Sequence, residues 1–307
     1  MTGTAILSVE IELAWGYHEL SRADKYDVLS PTRTPETETL DYLLGLCEQF
    51  EIPISFDVVG HLLLDECRGT HDGTFPPDWF TEDPGTTTDV DPLFYAPDLV
   101  DRIQASPVDH EICTHTFSHA LGAEFSAGQL ATDLEIAQQL HRDRLGTEAR
   151  SLVPPRHQSM DHDVLGEHGI SVIRKPQDQV PNHSLMQLYW FFARRHPVVE
   201  PCRMDGLVTT YTSPIQSLTT PTIPYGQRPP HPLLRWVPLG VRKRVHDRYI
   251  SDALDRAITA QSHAHFWTHL HDMANDPQRD VVRRSLARIA HRRDDADLRI
   301  ARMADLT

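Results

Sequence analysis

The chain has 307 residues, 39% of them apolar, with a mean hydropathy of −0.41 and a formal net charge of −15 from 44 acidic and 29 basic side chains. That balance speaks against a nucleic-acid-binding surface and against adsorption to anionic lipid, both of which need basic footprints. The length allows one large α/β domain or two smaller ones, and the acidic surface suits high ionic strength as well as ordinary low-salt solution.

In chain order, residues 4–13 read as a strand apolar enough to be buried on both faces, which suits a parallel sheet. Residues 36–50 form a helix with Leu40, Leu43, Leu44, Cys47 and Phe50 on one stripe, and Pro35 suits its first turn. A strand follows over 52–59, and residues 69–96, rich in Gly, Pro, Thr and Asp, read as a long loop of the kind that is often functional. A short helix at 97–105, a strand at 110–114, a helix at 127–145 ended by Gly146, a strand at 150–154, a helix at 161–168 and a strand at 170–174 continue the alternation. Residues 176–232 hold ten of the 23 prolines and read as an irregular surface excursion within a single domain spanning 1–307. A helix at 241–260, a strand at 263–270 and a charged helix at 277–302 complete the chain.

The four cysteines (47, 67, 113, 202) form no Cys-x2-Cys pair and read as reduced, mostly buried thiols. No apolar run approaches the ~20 residues of a membrane helix. Met1–Val9 carries neither a basic stretch nor a long apolar one, so a cytoplasmic location is expected.

In a parallel α/β barrel or sheet, catalytic groups come from the C-terminal ends of the strands. Four polar clusters fall at such ends. Glu10-Ile11-Glu12 puts two carboxylates on one strand face, which repel each other unless a cation sits between them. His115 and His119 converge on one point if a helical turn begins after the strand, and with Glu12 they make a three-ligand metal site with open positions. Nineteen histidines make roughly one such pair expected by chance, so the context decides. Arg156, in Pro154-Pro155-Arg156-His157, offers a guanidinium that can hold a carboxylate ionised. His265, Trp267, His269 and His271 share a strand face, where an imidazole near a metal can act as a general acid. Each cluster taken singly reads equally well as an exposed strand end or a structural histidine; their convergence favours a site.

These clusters, in this order, resemble the polysaccharide deacetylase family with NodB homology (carbohydrate esterase family 4). Ser8-Val9-Glu10-Ile11-Glu12 looks like the acid-x-acid first motif. His115-Thr116-Phe117-Ser118-His119 matches His-[Ser/Thr]-x-x-His, Pro155-Arg156 the arginine motif, and Phe266-Trp267-Thr268-His269 the strand ending in the acid histidine. The resemblance covers residues 4–272 and implies a distorted (β/α)7-type barrel. It also implies a divalent metal of the zinc class on Glu12, His115 and His119, Glu10 as general base braced by Arg156, and His269 as general acid. The substrate implied is an N-acetylated sugar or polysaccharide, or a small non-peptide amide. Two departures stand out. Both first-motif acids are Glu where the family usually has Asp, a shift of about 1 Å, and misplacement of that size can cost on the order of 10²-fold in rate. The aromatic fourth motif has only Tyr189 or Trp190 as candidates. A catalytically impaired protein that binds carbohydrate is the alternative reading of these departures.

Overall fold

The computed structural model describes residues 2–17, 20–179, 195–230 and 232–307, and structural statements below concern these. Its centre is β1 (Gly3–Ile11), all nine residues of which are buried. Side-chain alternation splits β1 in two. Ala5, Leu7, Val9 and Ile11 face outward and pack with Leu40, Leu43 and Cys47 of α2 (Thr34–Phe50), Ile250 and Leu254 of α6 (Leu239–Ala260), and Leu286 and Ile289 of α7 (Asp276–Asp295). Ile6 belongs to a separate apolar cluster, while Ser8 and Glu10 join buried polar groups of other strands. Each fully buried aliphatic side chain of this kind contributes about 1.5–3 kcal/mol.

Six more parallel strands close a barrel with β1: β2 (Ser55–Val58), β3 (Glu111–Thr114), β4 (Ser151–Leu152), β5 (Val172–Pro176), β7 (Leu207–Thr212) and β8 (His263–His269). The order runs β1-β2-β3-β4-β5-β7-β8 and returns to β1, so Ser8–Ile11 pairs with β2 on one edge and Thr4–Glu10 with β8 on the other. The barrel is irregular. β4 has two residues, and β7 meets β8 only where Thr212 lies opposite His265. Helices α1 (Arg22–Lys25), α3 (Pro97–Gln104), α4 (Ala127–Leu145) and α5 (His162–Glu167) complete the seven described α-helices. The bottom of the barrel is apolar: Ile6, Cys113, Val153, Val172 and Val208 pack with Ala301 and Met303. Among the described residues no helix is long and apolar enough to cross a membrane.

Two sequence expectations change. The C-terminal helix ends at Asp295, and β9 (Leu298–Ala301) follows, pairing with Gly3–Ile6 of β1 below the point where β2 takes over that edge. Leu298 and Ala301 are buried against the barrel, a demand that overrides the helical pattern. The Pro-rich stretch is also less irregular than its composition suggests. Cys202–Met204 (β6) pairs antiparallel with β7, and β7 is itself a barrel strand whose β-branched Val208, Thr209, Thr210 and Thr212 outweigh the surrounding prolines. Of the thiols, Cys47 and Cys113 are buried as expected, Cys67 is half-buried and Cys202 is exposed; none forms a disulfide.

Candidate active site

Strand ends deliver the polar groups to the barrel mouth. Glu10 is the penultimate residue of β1 and Glu12 follows the strand; they are 4% and 6% exposed. His115 follows β3 directly, and His269 ends β8 opposite Glu10. Glu12 Oε2 lies 2.9 Å from His119 Nε2 and 3.6 Å from His115 Nε2. His269 Nε2 lies 3.3 Å from both Glu10 Oε2 and Glu12 Oε1. Glu10, Glu12, His115, His119 and His269 are thus one cluster.

The His115–His119 stretch is not helical, in contrast to the sequence expectation. Thr116 and His119 both adopt left-handed backbone, with φ of 63° and 59°. A buried acid from α4 holds this shape: Asp133 accepts hydrogen bonds from the amides of Phe117 at 2.6 Å and Ser118 at 3.0 Å, and from the Ser118 hydroxyl. The amide of Ala120 donates to Thr116 Oγ1 at 2.7 Å. Left-handed non-glycine residues cost of order 1–3 kcal/mol each and gather where surroundings over-determine them. Here Leu13, Thr116, His119, Arg156 and His157, five of the ten such residues among those described, follow the ends of β1, β3 and β4.

Inside the barrel a chain of hydrogen bonds runs upward to Glu10. His265 Nδ1 is 3.2 Å from Thr210 Oγ1 and its Nε2 is 2.9 Å from Ser8 Oγ. Arg174 Nη1 donates to Ser8 Oγ at 2.6 Å, and its Nη2 donates to Glu10 Oε1. The guanidinium is fully buried and also lies 4.6 Å over the Trp267 ring. Burial pushes the Glu10 carboxyl up, but Arg174 and then His269 outweigh it and hold the group well below its ordinary range. Asp57 of β2 lies 3.7 Å from Arg174 Nη1, and burial together with the charge of Glu10 pushes it up to about 8. We take Asp57 as the neutral partner, so the single guanidinium serves Glu10. Burial disfavours a charged His269, but Glu12 and Glu10, then Asp272 on its Nδ1 at 2.8 Å, raise it well above the ordinary imidazole range.

Arg156 does not occupy the bracing position expected of it. It is exposed in a left-handed turn, donates to Gly16 O at 3.4 Å, and its charge is felt by His119. The guanidinium on Glu10 comes from the next strand along the sheet, where Val172-Ile173-Arg174 points Val172 into the apolar bottom of the barrel and Arg174 into the polar layer above. A charged residue inside an apolar strand was the legible signal for Arg174, as it was for Asp57 in Ser55-Phe56-Asp57-Val58. Asp133 and Gly16 gave none. Tyr189 and Trp190 lie outside the described residues. Tyr17 extends the site, its hydroxyl 2.8 Å from His271 Nε2.

Gly16 explains how glutamate fits at position 12. A Cβ on Gly16 would lie 2.3 Å from Glu12 Cδ and within 2.7 Å of both carboxylate oxygens. The carboxylate of the longer side chain therefore occupies space that a glycine leaves open.

The donor set fits a divalent metal. His115 gives its Nδ1 proton to Val153 O at 2.7 Å, which turns the Nε2 lone pair toward Glu12, and that buried Nε2 has no hydrogen-bond partner. Two imidazoles and one carboxylate suit zinc and its neighbours, and backbone carbonyls commonly orient ligand imidazoles this way. The field of Glu12 and Glu10, which favours protonation of His115 despite its burial, equally favours a cation.

No family model matches the sequence, and no curated protein does. Solved structures do match. A protein assigned as a polysaccharide deacetylase from Mycobacterium smegmatis superposes at TM-score 0.65 with 14% identity, over 99% of this chain and 88% of that one. One assigned to the same activity from Pseudomonas aeruginosa PAO1 gives 0.58 and 10%, over 99% and 89%. The allantoinase PuuE gives 0.58 and 11%, over 99% and 88%. At these identities the likeness establishes the fold: a NodB-like (β/α)7 barrel, shared with polysaccharide deacetylases along nearly the whole chain.

Gly16→Ala tests the packing argument. Its methyl must displace the Glu12 carboxylate, and zinc affinity measured by competition with a chromophoric chelator should fall about 10–100-fold, the size usual for residues that orient ligands. Unchanged affinity would show that Gly16 does not set the position of Glu12.

Proposed function

We propose that the chain is a metal-dependent hydrolase that removes an N-acetyl group from a sugar or polysaccharide. The observation that carries this reading is the pairing of two carboxylates with different partners. Glu12 faces the buried imidazoles of His115 and His119, whereas Glu10 is held ionised by Arg174. Glu12, His115 and His119 would hold the ion, of the zinc class. When bound, it polarises the amide carbonyl and acidifies the attacking water.

Glu10 is the base. It accepts the proton of the water whose oxygen forms the new bond to the acetyl carbon. His269 is the acid. It gives its Nε2 proton to the amide nitrogen as the C–N bond breaks, while Asp272 fixes the ring through Nδ1. Acetate and the free amine leave. Arg156 supplies positive charge at the mouth, beside His119. The near-complete burial of Glu10 and Glu12 favours a substrate whose amide projects from a larger body, such as a pendant acetamido group. The same burial also suits the second reading, a small non-peptide amide taken in whole. The glutamates favour catalysis over impaired binding, because both reach the imidazoles despite their length.

Glu10→Gln and His115→Ala should each lower kcat on an N-acetylated oligosaccharide by about 10²–10⁴-fold. Dialysis against a chelator should abolish activity and zinc restore it; full activity in both variants would overturn the assignment. Arg174→Gln separates the two arginines. Without that guanidinium the pKa of Glu10 rises, so the acidic limb of kcat/KM moves to higher pH, while Arg156→Gln leaves the limb in place.

A further inference from the structure

The loop between the barrel's second strand and α3 carries a second cluster of metal-binding side chains, independent of the site above. From Leu64 to Ala96 the chain has no helix or strand of its own, only an isolated bridge between Glu66 and Thr87. It is nevertheless closed around His61, Cys67, His71 and Asp83, whose donor atoms all lie within 4.8 Å of one another. We propose that these four residues bind one zinc-class divalent cation that is structural rather than catalytic.

The donors are aimed inward. Asp83 Oδ2 lies 2.7 Å from His71 Nε2, 3.3 Å from His61 Nε2 and 3.3 Å from Cys67 Sγ, and Cys67 Sγ lies 3.6 Å from His71 Nε2. Tetrahedral zinc with bonds of about 2.0–2.3 Å places its donors roughly 3.3–3.8 Å apart, which three of these four separations match, and the His71–Asp83 pair would open by about half an ångström to admit the ion. The remaining polar atoms are already committed. His61 Nδ1 is 3.2 Å from Phe94 O, which leaves Nε2 as the lone-pair nitrogen. Asp83 Oδ1 accepts from the Gly85 amide at 3.0 Å and the Tyr95 hydroxyl at 2.8 Å, which leaves Oδ2 for the ion. The Gly69 amide donates to Cys67 Sγ at 3.1 Å, the contact a thiolate needs.

An independent observation points to a ligand. His61 is completely buried, and its Nε2 is directed at the cluster, where it faces the Asp83 carboxylate oxygen at 3.3 Å. A cation between that nitrogen and the carboxylate oxygen satisfies both lone pairs at once. Four donors supplied entirely by the protein make a closed site, the mark of structural rather than catalytic zinc. On binding, the Cys67 thiol loses its proton to solvent and the sulfur bonds the metal.

The site sits behind the catalytic turn. The amides of Gly60 and His61 donate to Thr116 O and Phe117 O, each at 2.8 Å. The Phe117 ring lies 5.5 Å from that of His61 and 5.4 Å from that of His71. An ion on His61 and His71 thus fixes the surface against which the His115–His119 turn is formed.

Metal analysis of the purified protein tests this. Wild type should hold about two zinc equivalents per chain; Cys67→Ala and His71→Ala should each lose about one while His115→Ala loses the other. Should the metal proposed at Glu12 be absent, wild type holds about one equivalent, lost in Cys67→Ala and retained in His115→Ala. Cobalt(II) loading of the wild type gives a readout that needs no variant. Cys67 is the one sulfur among the proposed ligands of either site, so a near-ultraviolet thiolate-to-cobalt charge-transfer band should appear. Absence of that band, or a zinc content unchanged in a folded Cys67→Ala protein, would overturn the proposal.

Discussion

Glu10 and Glu12 put two carboxylates side by side in the mouth of a closed barrel, each less than a tenth exposed. Like charges about 4 Å apart repel by roughly 4 kcal/mol at the effective dielectric of a protein, and desolvating each ion costs several kcal/mol more. Positive charge must therefore be built around them. The barrel supplies Arg174 from below, bonded to Glu10, and His269 from the side, touching both. What remains uncompensated is the face of Glu12 toward His115 and His119, where imidazole nitrogens rather than a guanidinium meet it. On that asymmetry rests the proposed division between Glu10 as proton acceptor and Glu12 as metal ligand.

The rest of the fold serves this arrangement. Closure of seven parallel strands brings β1, β3, β5 and β8 to one mouth although their residues are far apart in sequence. Alternation along each strand sends apolar groups to the barrel floor and polar ones above them: Ile6, Ser8 and Glu10 on β1, Val172 and Arg174 on β5. The buried network Thr210–His265–Ser8–Arg174 is hydrogen-bonded end to end, which fixes the guanidinium under Glu10. Asp133, working through the amides of Phe117 and Ser118, does for the His115–His119 turn what the strands do for the rest.

Much of this was legible in the sequence. Apolar strands alternating with amphipathic helices gave βα units around a parallel sheet, the resemblance to polysaccharide deacetylases implied its closure into a barrel, and polar clusters at strand ends gave Glu10, Glu12, His115, His119 and His269 as a group. Arg156 was misplaced because the sequence shows which strands end in charge but not which of two neighbouring arginines reaches a given carboxylate; that depends on the stagger between β4 and β5. The helical turn expected at His115–His119 gave way to a loop, since the interaction that shapes it comes from Asp133, far along the chain. β9 and β7 were hidden by a charged context and by prolines, respectively, and emerge only because the barrel offers them buried edges. Glu12, where the resemblance implies aspartate, is accommodated by Gly16, whose role depends on a contact no spacing rule reveals.

The separation of roles between Glu10 and Glu12 is tested most directly by anomalous X-ray scattering at the zinc edge from crystals of the zinc-loaded protein. The account predicts a peak within bonding distance of Glu12, His115 Nε2 and His119, with Glu10 outside the coordination sphere and still on Arg174. A peak coordinated by Glu10 instead, or no anomalous peak among these residues at full zinc loading, would contradict it.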